Sequence, residues 1–499
     1  MDAAIFKAYD IRGVYPDELN EEDAWKIGFA TARFLPALLH GFERGQANAR
    51  TICVGRDMRT HSETLANALI EGITSAGIDV IDVGMVDTPF IYFAVNHLST
   101  CGGVQVTASH NPAKYNGFKV SGPGAKPVGE DTGLKDIKHI ALSLLHTKGK
   151  ATGSVEKRDL TEEYKNHVLK FLQPKLRKLK IAIDASNGMA GKMVPAVFSG
   201  LGLPFDSAQG GERARRVEPK IIEINFKHDG TFKHDPNPLH EENLAELKAT
   251  VIRENCDFGV CFDGDADRLM MVDETGRTIG CDLITALMAG YFLKKHPKST
   301  IVYDLRSSRV VAEEIIRHSG TPRRERVGHA FMKKALRDSH GVFGGELSGH
   351  FYYRDNFCAD SGLITFVHML NIISQASSTV SELIKPLRRY FASGETNFQV
   401  EDKQARMDEL AKRYRDGQID RLDGVTVGYK DWWFNCRPSN TEPLLRLTVE
   451  AKTEELLREK LNEIQTVLGP PVQQEKAAPP PQEQPAKKTG KKKPAGKTG

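Results

Sequence analysis

Residues 51–57 read TICVGRD, a short run of β-branched and apolar side chains that ends in an aspartate, and this pattern decides the fold class. KIAIDAS at 180–186 and TIVYDLR at 300–306 repeat it, each followed by a stretch with helical periodicity and a glycine-containing turn. Apolar runs that alternate with helical periodicity indicate β-α-β units and mainly parallel sheets. The repeats start about 120 to 130 residues apart, which is too far for a solenoid. The sequence therefore predicts three related α/β domains in series.

Each of the three units also contains a later strand-like run that opens into a polar loop. TASHNP (107–112) follows GGVQV, DGDADR (263–268) follows FGVCF, and GGELSGH (344–350) follows HGVF. In open α/β sheets ligands bind at the carboxyl ends of the strands. We therefore expect the three loops to converge on one cleft.

The pattern changes near residue 424, where short strand-like runs surround the loop RPSNTEP (437–443) and a helix rich in Glu, Lys and Leu follows. We expect three α/β domains with mainly parallel sheets and a C-terminal α+β domain around a central cleft. The residues between, 386–423, are weakly patterned and are expected to form a linker with helical stretches. The predicted boundaries are 1–150, 151–277, 278–385 and 386–469.

Composition and charge exclude several classes of protein. The chain has 499 residues, of which 40% are hydrophobic, so it can bury several cores and is not globally disordered. From Pro470 onward seven lysines face two glutamates, so the net charge of +4 becomes about −1 for residues 1–469. The body is therefore not a basic nucleic-acid binder. Residues 470–499 are expected to be a disordered basic Pro/Lys-rich tail, either a solubilising appendage or a contact to an anionic surface.

Apolar runs and cysteines bear on location. The longest apolar candidate, 283–293, is too short to cross a membrane and is followed by Lys294 and Lys295. The N-terminus lacks the basic start and apolar stretch of a secretory signal. The seven cysteines are scattered and contain no C-x-x-C pair, which is typical of a reduced cytosolic protein. We therefore expect a cytoplasmic protein without a membrane partner.

The DGDADR loop is a candidate metal site. Asp263, Asp265 and Asp267 alternate, so an irregular loop can bend three carboxylates toward one hard cation. An EF-hand is excluded because Arg268 occupies the sixth position, where glycine is needed. Three protein oxygens leave room for further ligands on Mg²⁺, which favours phosphate chemistry. The alternative is a solvated acidic turn, which the preceding buried-looking strand disfavours.

Beside a candidate metal loop, the loops that carry Ser109 and Arg437 become candidates for phosphate chemistry. Ser109 lies beside His110, but adjacent side chains at a strand end are not expected to face each other, and no G-x-S-x-G elbow surrounds them. Opposite Mg²⁺, the serine could accept and donate a phosphoryl group. RPSNTEP offers a guanidinium, hydroxyls and an amide that suit a phosphate, although it could equally be a capped turn. In GGELSGH, Glu346 and Ser348 suit neighbouring hydroxyls of a sugar.

Five motifs in order carry a resemblance to a known family: AYDIRG (8–13), TASHNP with YNGFK (115–119), DGDADR, GGELSGH and RPSNTEP. Over residues 1–469 the chain resembles the α-D-phosphohexomutases, and within them the phosphomannomutase/phosphoglucomutase group. The resemblance implies four domains around a central cleft. It also implies an enzyme that interconverts hexose 1-phosphate and hexose 6-phosphate, of mannose or glucose, through a phosphoserine and a hexose 1,6-bisphosphate.

The resemblance further implies roles for individual residues of this sequence. Ser109 matches the phosphoserine, which is also a Mg²⁺ ligand together with Asp263, Asp265 and Asp267. Glu346 and Ser348 match the sugar-binding pair. Lys119 and His329 match the candidates for proton transfer, although His329 and Lys333 could instead form one solvated helix face. The distal phosphate site is matched by Arg437, Ser439, Asn440 and Thr441. The remaining polar residues of the cleft are matched by Tyr9, Arg12, His110, Lys119, Arg268, His329 and Lys333.

Three alternatives compete with this interpretation. A phosphoglucosamine mutase is disfavoured by Leu347, because the mannose/glucose group commonly has Met there and aminosugar mutases have Gln. A non-catalytic sugar-phosphate-binding protein would be expected to have lost Ser109 or a metal aspartate, and all four are present. A scaffold tethered to anions would depend on residues 470–499. Contacts through the 3- and 4-hydroxyls do not distinguish mannose from glucose, so dual specificity is expected.

Overall fold

The computed structural model describes residues 1–39, 48–144, 152–198, 220–439 and 444–472. These residues form four β-sheets in chain order. The first three sheets combine a parallel β-α-β core with antiparallel strands, and the fourth is entirely antiparallel. The predicted fold class, three α/β units followed by an α+β unit, is confirmed.

The first unit has a six-stranded sheet and four helices. The strands lie in the order β1-β5-β4-β2-β3-β6, so the first and last strands of the unit in chain order are at the edges of the sheet. In chain order the elements are β1 (Ile11–Val14), α1 (Glu21–Phe34), β2 (Asn48–Arg56), α2 (Ser62–Ser75), β3 (Asp79–Met85), α3 (Thr88–His97), β4 (Thr100–Val106), β5 (Tyr115–Ser121), α4 (Leu134–Ser143) and β6 (Val155–Lys157).

The second and third sheets have five strands each, in the orders β11-β10-β9-β7-β8 and β13-β12-β14-β15-β16. The second unit contains α5 (Thr161–Leu169), β7 (Lys180–Asp184), α6 (Ala190–Phe198), β8 (Lys220–Ile224), α7 (Ala245–Arg253), β9 (Phe258–Phe262), β10 (Leu269–Asp273) and β11 (Thr278–Ile279). The third contains α8 (Cys281–Lys295), β12 (Thr300–Asp304), α9 (Arg309–Arg317), β13 (Thr321–Glu325), α10 (His329–Asp338), β14 (Phe343–Gly345), β15 (Phe351–Tyr353), β16 (Ala359–Asp360), α11 (Gly362–Gln375) and α12 (Val380–Ile384).

A four-strand core recurs in the three α/β sheets. Its order is β5-β4-β2-β3, then β10-β9-β7-β8, then β15-β14-β12-β13. In each copy the strand of the repeated sequence pairs in parallel with both neighbours. The strand at the start of each order, β5, β10 or β15, runs antiparallel to its neighbour. The predicted internal repeat is therefore a repeat of topology. β13 lies at an edge, which explains why its sequence, TPRRE, carries few apolar residues.

The fourth sheet includes residues that the sequence assigned to a linker. Its order is β17-β21-β20-β19-β18, and β17 pairs with β21 from the far end of the domain. The linker prediction for 386–423 is thus wrong over most of its length, because polar edge strands such as β17 and β18 lack the alternating pattern of a half-buried strand. The elements are β17 (Phe391–Phe398), α13 (Lys403–Arg413), β18 (Gln418–Asp420), β19 (Val425–Gly428), β20 (Trp432–Pro438), β21 (Leu445–Ala451) and α14 (Glu454–Leu468).

The fourth unit has a cluster of buried apolar side chains that is separate from those of the other units. One continuous cluster runs through the second and third units and into the first, whereas residues between Phe398 and Leu468 form a cluster of their own. The fourth unit therefore has its own core. Among the described residues, no single helix is long and apolar enough to cross a membrane. One pair bent by 96°, 362–375 with 380–387, passes by length and composition alone, and its first helix is almost wholly buried in the core.

Candidate active site

The aspartate of each repeated run makes the same turn at the carboxyl end of its strand. Asp57, Asp184 and Asp304 are all fully buried. Each carboxylate accepts a hydrogen bond from the backbone N–H two residues later, as in an Asx-turn. The fold thus places three equivalent turns at the edge where the polar loops begin. The donors and their distances are Arg59 (3.0 Å), Ser186 (2.8 Å) and Arg306 (2.8 Å).

Arg59 holds the loop that carries Ser109. Its side chain is fully buried and its Nε donates to Asp57 at 3.2 Å. Its two terminal nitrogens donate to four backbone carbonyls of the loop, so one planar guanidinium fixes several turns at once. The acceptors are Pro112 (2.7 Å), Tyr115 (3.0 Å), Ser109 (3.0 Å) and Asn111 (2.6 Å).

Ser109 is 1% exposed and adopts a left-handed conformation with φ of 51°. Its hydroxyl donates to Oδ2 of Asp263 at 3.0 Å and lies 3.2 Å from Nδ1 of His110. The expectation that the adjacent side chains would not face each other is wrong, because the positive φ turns the chain away from strand geometry at this residue. Burial, followed by the nearby cationic side chains, lowers the pKa of His110, so the imidazole is neutral at pH 7.

The three aspartates of the DGDADR loop form one buried cluster after β9. Their oxygens lie within 4.8 Å of one another and the side chains are at most 2% exposed. Burial, followed by the charges of Asp267 and Asp265, raises the pKa of Asp263. In the described part of the chain, no group donates a hydrogen bond to Oδ1 of Asp265 or Asp267. Orphaned carboxylate oxygens this close together fit a hard cation that takes oxygen ligands.

The DGDADR loop (263–268, the candidate metal loop) and the TASHNP loop (107–112, the serine loop) approach each other through backbone as well as side chains. A Cβ on Gly264 would lie 2.3 Å from the carbonyl oxygen of Ser109, so only glycine permits this spacing. At the start of α3, the backbone N–H of Thr88 donates to the carbonyl of Asp265 at 3.1 Å, and its hydroxyl donates to the carboxylate. The first and second units are therefore locked together at this point.

Lys119, on β5, supplies a positive charge to the aspartate cluster. Its Nζ lies 2.7 Å from Oδ2 of Asp265 and 2.6 Å from Oδ2 of Asp267. Burial acts to lower the pKa of Lys119, but the two carboxylates outweigh it and raise that pKa, so the ammonium stays charged. In turn, Lys119 outweighs the effect of burial on Asp265 and lowers the pKa of that carboxyl.

Arg268 joins the second unit to the third through His350. Its Nε donates to Nε2 of His350 at 3.0 Å, and its guanidinium lies 3.8 Å from Asp263. On the other side of the ring, Nδ1 of His350 lies 2.8 Å from Oδ2 of Asp360. The His350 ring is therefore held between Arg268 and Asp360.

Lys333 is buried beneath this contact and does not line an open cleft. Its Nζ lies 2.8 Å from Oδ1 of Asp360 and 4.0 Å from the ring centroid of Tyr92, and the residue is 0% exposed. The alternative of a solvated helix face is therefore wrong for Lys333. Its ammonium instead compensates Asp360, which orients His350, and its charge adds to burial in lowering the pKa of His329.

Tyr9 and Arg12 bring the N-terminal segment to the same cleft. The Tyr9 ring lies 5.5 Å from the ring of His329, so the first and third units meet here. Arg12 donates to Asn111 of the serine loop at 2.6 Å and also pairs with Asp10. In the described structure, Nε of Arg12 is buried without a hydrogen-bond partner, so this guanidinium retains donor capacity.

The GGELSGH loop after β14, called the sugar loop because the resemblance implies that it binds the sugar, is anchored at two neighbouring residues. Glu346 accepts from the hydroxyl of Tyr352 at 2.7 Å and lies 3.6 Å from Arg306, while the N–H of Leu347 donates to Asp304 at 2.7 Å. Among the described residues, Oγ of Ser348 is buried without a partner. Glu346 and Ser348 are therefore held on one rigid loop, and the Ser348 hydroxyl is available to bind a further polar group.

Arg437 is 2% exposed and donates to Glu395 at 2.6 Å. Ser439 is buried, and its backbone N–H donates to the carbonyl of Leu444 at 2.9 Å. Asn440 and Thr441 lie outside the described residues. Arg306 of the third unit lies 3.8 Å from Glu395, so this part of the site spans the third and fourth units.

Several residues of the site were missed by the sequence interpretation. His350 stands inside the quoted GGELSGH loop but received no role. Arg59 and Arg306 share a D-x-R pattern at the ends of two repeated runs, which could have identified both. Asp360 and Glu395 carry no motif, and only the folded chain brings them to the cleft.

Comparison with family models gives a match to all four units. The models are those of phosphoglucomutase/phosphomannomutase: alpha/beta/alpha domain I over residues 3–145, domain II over 162–276, domain III over 281–390, and the C-terminal domain over 395–466. Together they span most of the chain, in the order in which the sheets occur.

Individual proteins are similar along nearly the whole chain. A phosphomannomutase of Escherichia coli (strain K12) is 37% identical over 464 residues, which is 91% of this chain and 96% of that protein. A phosphomannomutase of Methanocaldococcus jannaschii is 36% identical over 471 residues, covering 94% and 98%. The crystal structure of a phosphoglucomutase/phosphomannomutase family protein from Burkholderia thailandensis has a TM-score of 0.82 at 31% identity, covering 94% of this chain and 97% of that one.

Proposed function

The chain belongs to the phosphoglucomutase/phosphomannomutase family and is a hexose phosphate mutase, and we propose that it moves a phosphoryl group between the 1- and 6-oxygens of mannose or glucose phosphates through Ser109. The observation that carries this proposal is the position of the Ser109 hydroxyl, 3.0 Å from Asp263 and 3.2 Å from His110. A serine between an aspartate cluster and a neutral imidazole suits an oxygen that carries a phosphoryl group.

The resting enzyme would carry a phosphoryl group on Ser109. In the first transfer, the bond between phosphorus and Oγ breaks while a bond forms to the free 1- or 6-hydroxyl oxygen, whose proton passes to a base in the cleft. The product is a hexose 1,6-bisphosphate. After the sugar turns over, its other phosphoryl group returns to Oγ, so the serine is phosphorylated again and the isomeric monophosphate leaves.

Asp263, Asp265 and Asp267 would hold a Mg²⁺ ion, with an oxygen of the phosphorylated serine as a further ligand. When bound there, the cation would neutralise charge that develops on the transferring phosphoryl group. Support comes from the orphaned oxygens of Asp265 and Asp267 and from the raised pKa of Asp263, which burial and the neighbouring carboxylates cause.

His329 is the better of the two candidates for accepting the proton. Burial and the charge of Lys333 lower its pKa, so the ring is neutral at pH 7 and can take a proton. The carboxylates of Asp265 and Asp267 outweigh burial and raise the pKa of Lys119, so the group stays an ammonium and cannot accept the proton. We assign Lys119 to charge compensation.

Glu346 and Ser348 would bind the 3- and 4-hydroxyls in both orientations of the ring, since turning the sugar over roughly exchanges those positions. Arg437 with Ser439, and Asn440 and Thr441 outside the described residues, would bind whichever phosphate is not reacting. Tyr9, Arg12, His110 and Arg268 would complete the polar wall around the substrate. Cytoplasmic location is proposed on the cysteines, since all seven are buried free thiols.

Phosphopeptide analysis tests the central assignment. We expect phosphate on Ser109 in active protein, and a loss of turnover of about 10⁴-fold or more in Ser109→Ala, because the nucleophile itself is removed. Thr107→Ser, a conservative change two residues away, serves as the control. Full activity in Ser109→Ala would overturn the proposal.

A coupled assay on mannose 1-phosphate, glucose 1-phosphate and glucosamine 1-phosphate, side by side, tests the substrate class. We expect the two neutral sugars to be turned over at comparable rates, because contacts through the 3- and 4-hydroxyls do not distinguish mannose from glucose. Glucosamine 1-phosphate should be turned over more slowly, because Leu347 offers no polar side chain to an amine. A clear preference for glucosamine 1-phosphate would replace this assignment with the aminosugar mutase.

A further inference from the structure

Strand β17 contains an irregularity that aims one carboxylate into the cleft. Its register against β21 shifts between Ala392 and Glu395, and Gly394 has φ of +68°. The hydroxyl of Ser393 accepts from the N–H of Val449 at 3.0 Å, so the bulge is pinned by a hydrogen bond to the partner strand. A β-bulge changes the direction of the side chain that follows it, and here that side chain is Glu395.

Three arginines surround the Glu395 carboxylate. Arg437 donates to Oε2 at 2.6 Å and Arg446 donates to Oε1 at 3.2 Å, both from the fourth unit. Arg306 of the third unit lies 3.8 Å from Oε2. Both carboxylate oxygens are therefore engaged, in the way that two oxygens of a bound phosphate would be.

The need for an anion at this point follows from the burial of Arg437. Its side chain is only 2% exposed, and a buried guanidinium without a counter-charge is strongly unfavourable. Burial acts to raise the pKa of Glu395, but Arg437, Arg306 and Arg446 outweigh it and lower that pKa, so the carboxylate is charged at neutral pH.

We propose that Glu395 is an internal counter-anion that occupies the phosphate-binding arginines until the distal phosphate of the substrate displaces it. This inference rests on the proposed function, in which Arg437 binds the phosphate that is not reacting. A dianionic phosphate and the Glu395 carboxylate repel each other at this spacing, so the two do not share Arg437. Glu395 is 23% exposed on its side chain and lies on a bulge, so it has solvent to move into.

The competition gives the site a preference among anions. A dianion that bridges several arginines has a more favourable electrostatic interaction with them than the single carboxylate that it replaces. A weakly charged anion interacts too weakly with the arginines to displace the carboxylate. Arg306 extends the effect to the sugar loop, since it also lies 3.6 Å from Glu346. Displacement of Glu395 therefore changes the charge balance at the sugar loop and at the phosphate site together.

Glu395→Gln tests the inference, because it removes the charge and keeps an oxygen that can accept from arginine. Inorganic phosphate is the probe, measured by competitive inhibition of glucose 1-phosphate turnover and by the rise of Tm with phosphate concentration. We expect the dissociation constant for phosphate to fall about 10-fold, as removal of a competing charge would give. Glu395→Ala should also bind phosphate more tightly, whereas Glu395→Asp should stay near the wild type.

Two matched variants make the outcome specific. Glu409→Gln removes an exposed carboxylate from α13 of the same unit and should leave phosphate binding unchanged. In Glu395→Gln combined with Arg437→Ala, the gain should disappear, because the double variant lacks the arginine over which the two anions compete.

The failures of the two proposals are distinguishable. If Arg437→Ala alone leaves the KM for hexose phosphates unchanged, the phosphate role of Arg437 is wrong. If Arg437→Ala raises KM but both uncharged variants of Glu395 bind phosphate equally or more weakly, Glu395 merely orients the arginine, and the counter-anion is overturned.

Discussion

The two ends of the cleft carry opposite charges, and each end holds a counter-ion from the protein itself. At the serine end, Asp263, Asp265 and Asp267 are balanced by Lys119, within 2.7 Å of two of them. At the phosphate end, Arg306, Arg437 and Arg446 surround Glu395. On the proposed function, one end would hold a cation and the other an anion, and the internal counter-ion of each end has the sign of the species expected there.

The ends differ in how deeply the internal counter-ion is held. The aspartates are at most 2% exposed and Lys119 is 15% exposed on its side chain, whereas Glu395 is 23% exposed and lies on a bulged edge strand. The serine end also joins two units through one continuous core, while the phosphate end lies in a unit with its own core. We expect the serine end to stay rigid and the phosphate end to open and close.

The largest effect is expected at the serine end. Asp265→Asn removes one negative charge from a cluster that has to hold a dication, so kcat should fall by about 1,000-fold. Coupled assays at saturating Mg²⁺ measure the loss. Circular dichroism should show that the fold is intact, because the amide can still accept from Lys119 and Thr88.

Metal removal is the matching experiment on the unaltered enzyme. Turnover in excess chelator should cease and return when Mg²⁺ is added back. Undiminished turnover under chelation would mean that the charge difference between the two ends does not reflect a cation site. Asp229→Asn, at an exposed carboxylate that pairs with Lys227, is the control and should keep full activity.

A smaller effect is expected at the phosphate end. Arg437→Ala removes a buried donor from the proposed distal phosphate site, which should raise KM by about 30-fold, or about 2 kcal/mol. The rise should be similar for 1-phospho and 6-phospho sugars, because each presents its non-reacting phosphate there. Leakage of the 1,6-bisphosphate should increase as well, since the intermediate would lose the same contact.

A role confined to the stability of the loop would look different. The Arg437→Ala protein would then melt at a lower temperature while its KM stayed near normal in both directions. A rise of KM in one direction only would contradict a site shared by both orientations of the substrate.

The sequence predicted the serine end far better than the phosphate end. The repeated runs and the alternating aspartates are local patterns, and the topology of the parallel sheets brings such loops to one edge. The contact between Ser109 and His110 was missed because it depends on a positive φ at a single residue. His350 was missed as an assignment, although its loop was recognised.

At the phosphate end the missing information was tertiary. Glu395 reaches the arginines through a bulge and through the pairing of β17 with β21. No local sequence pattern predicts the bulge or the pairing. The same pairing explains why residues 391–398 were taken for a linker. Lys333 was expected to line the cleft, but it is buried against Asp360 and Tyr92, and this burial depends on the packing of α10 on other units.

The smallest expected effect, a change in Mg²⁺ affinity, tests whether Lys119 competes with the cation as Glu395 is proposed to compete with phosphate. If Lys119 occupies the aspartate cluster as Glu395 occupies the arginines, then Lys119→Met should tighten Mg²⁺ binding while it abolishes turnover. Removing a positive charge at this distance should lower the dissociation constant by about 10-fold, or about 1.4 kcal/mol. Lys135→Met, at a surface lysine of the same unit that is 61% exposed, is the control.

The pH of the measurement decides whether the gain is visible. Lys119 holds the pKa of Asp265 below its ordinary value against the effect of burial, so the variant's Asp265 takes up a proton at a higher pH than the wild type does. Protons then compete with Mg²⁺ in the variant as pH falls, and the gain should be greatest near pH 8 and shrink toward pH 5. Calorimetric titration of dephosphorylated protein at both values measures it without relying on activity. Equal or weaker Mg²⁺ binding by Lys119→Met at pH 8 would mean that Lys119 does not compete with the cation, and the parallel between the two ends would then hold for charge alone.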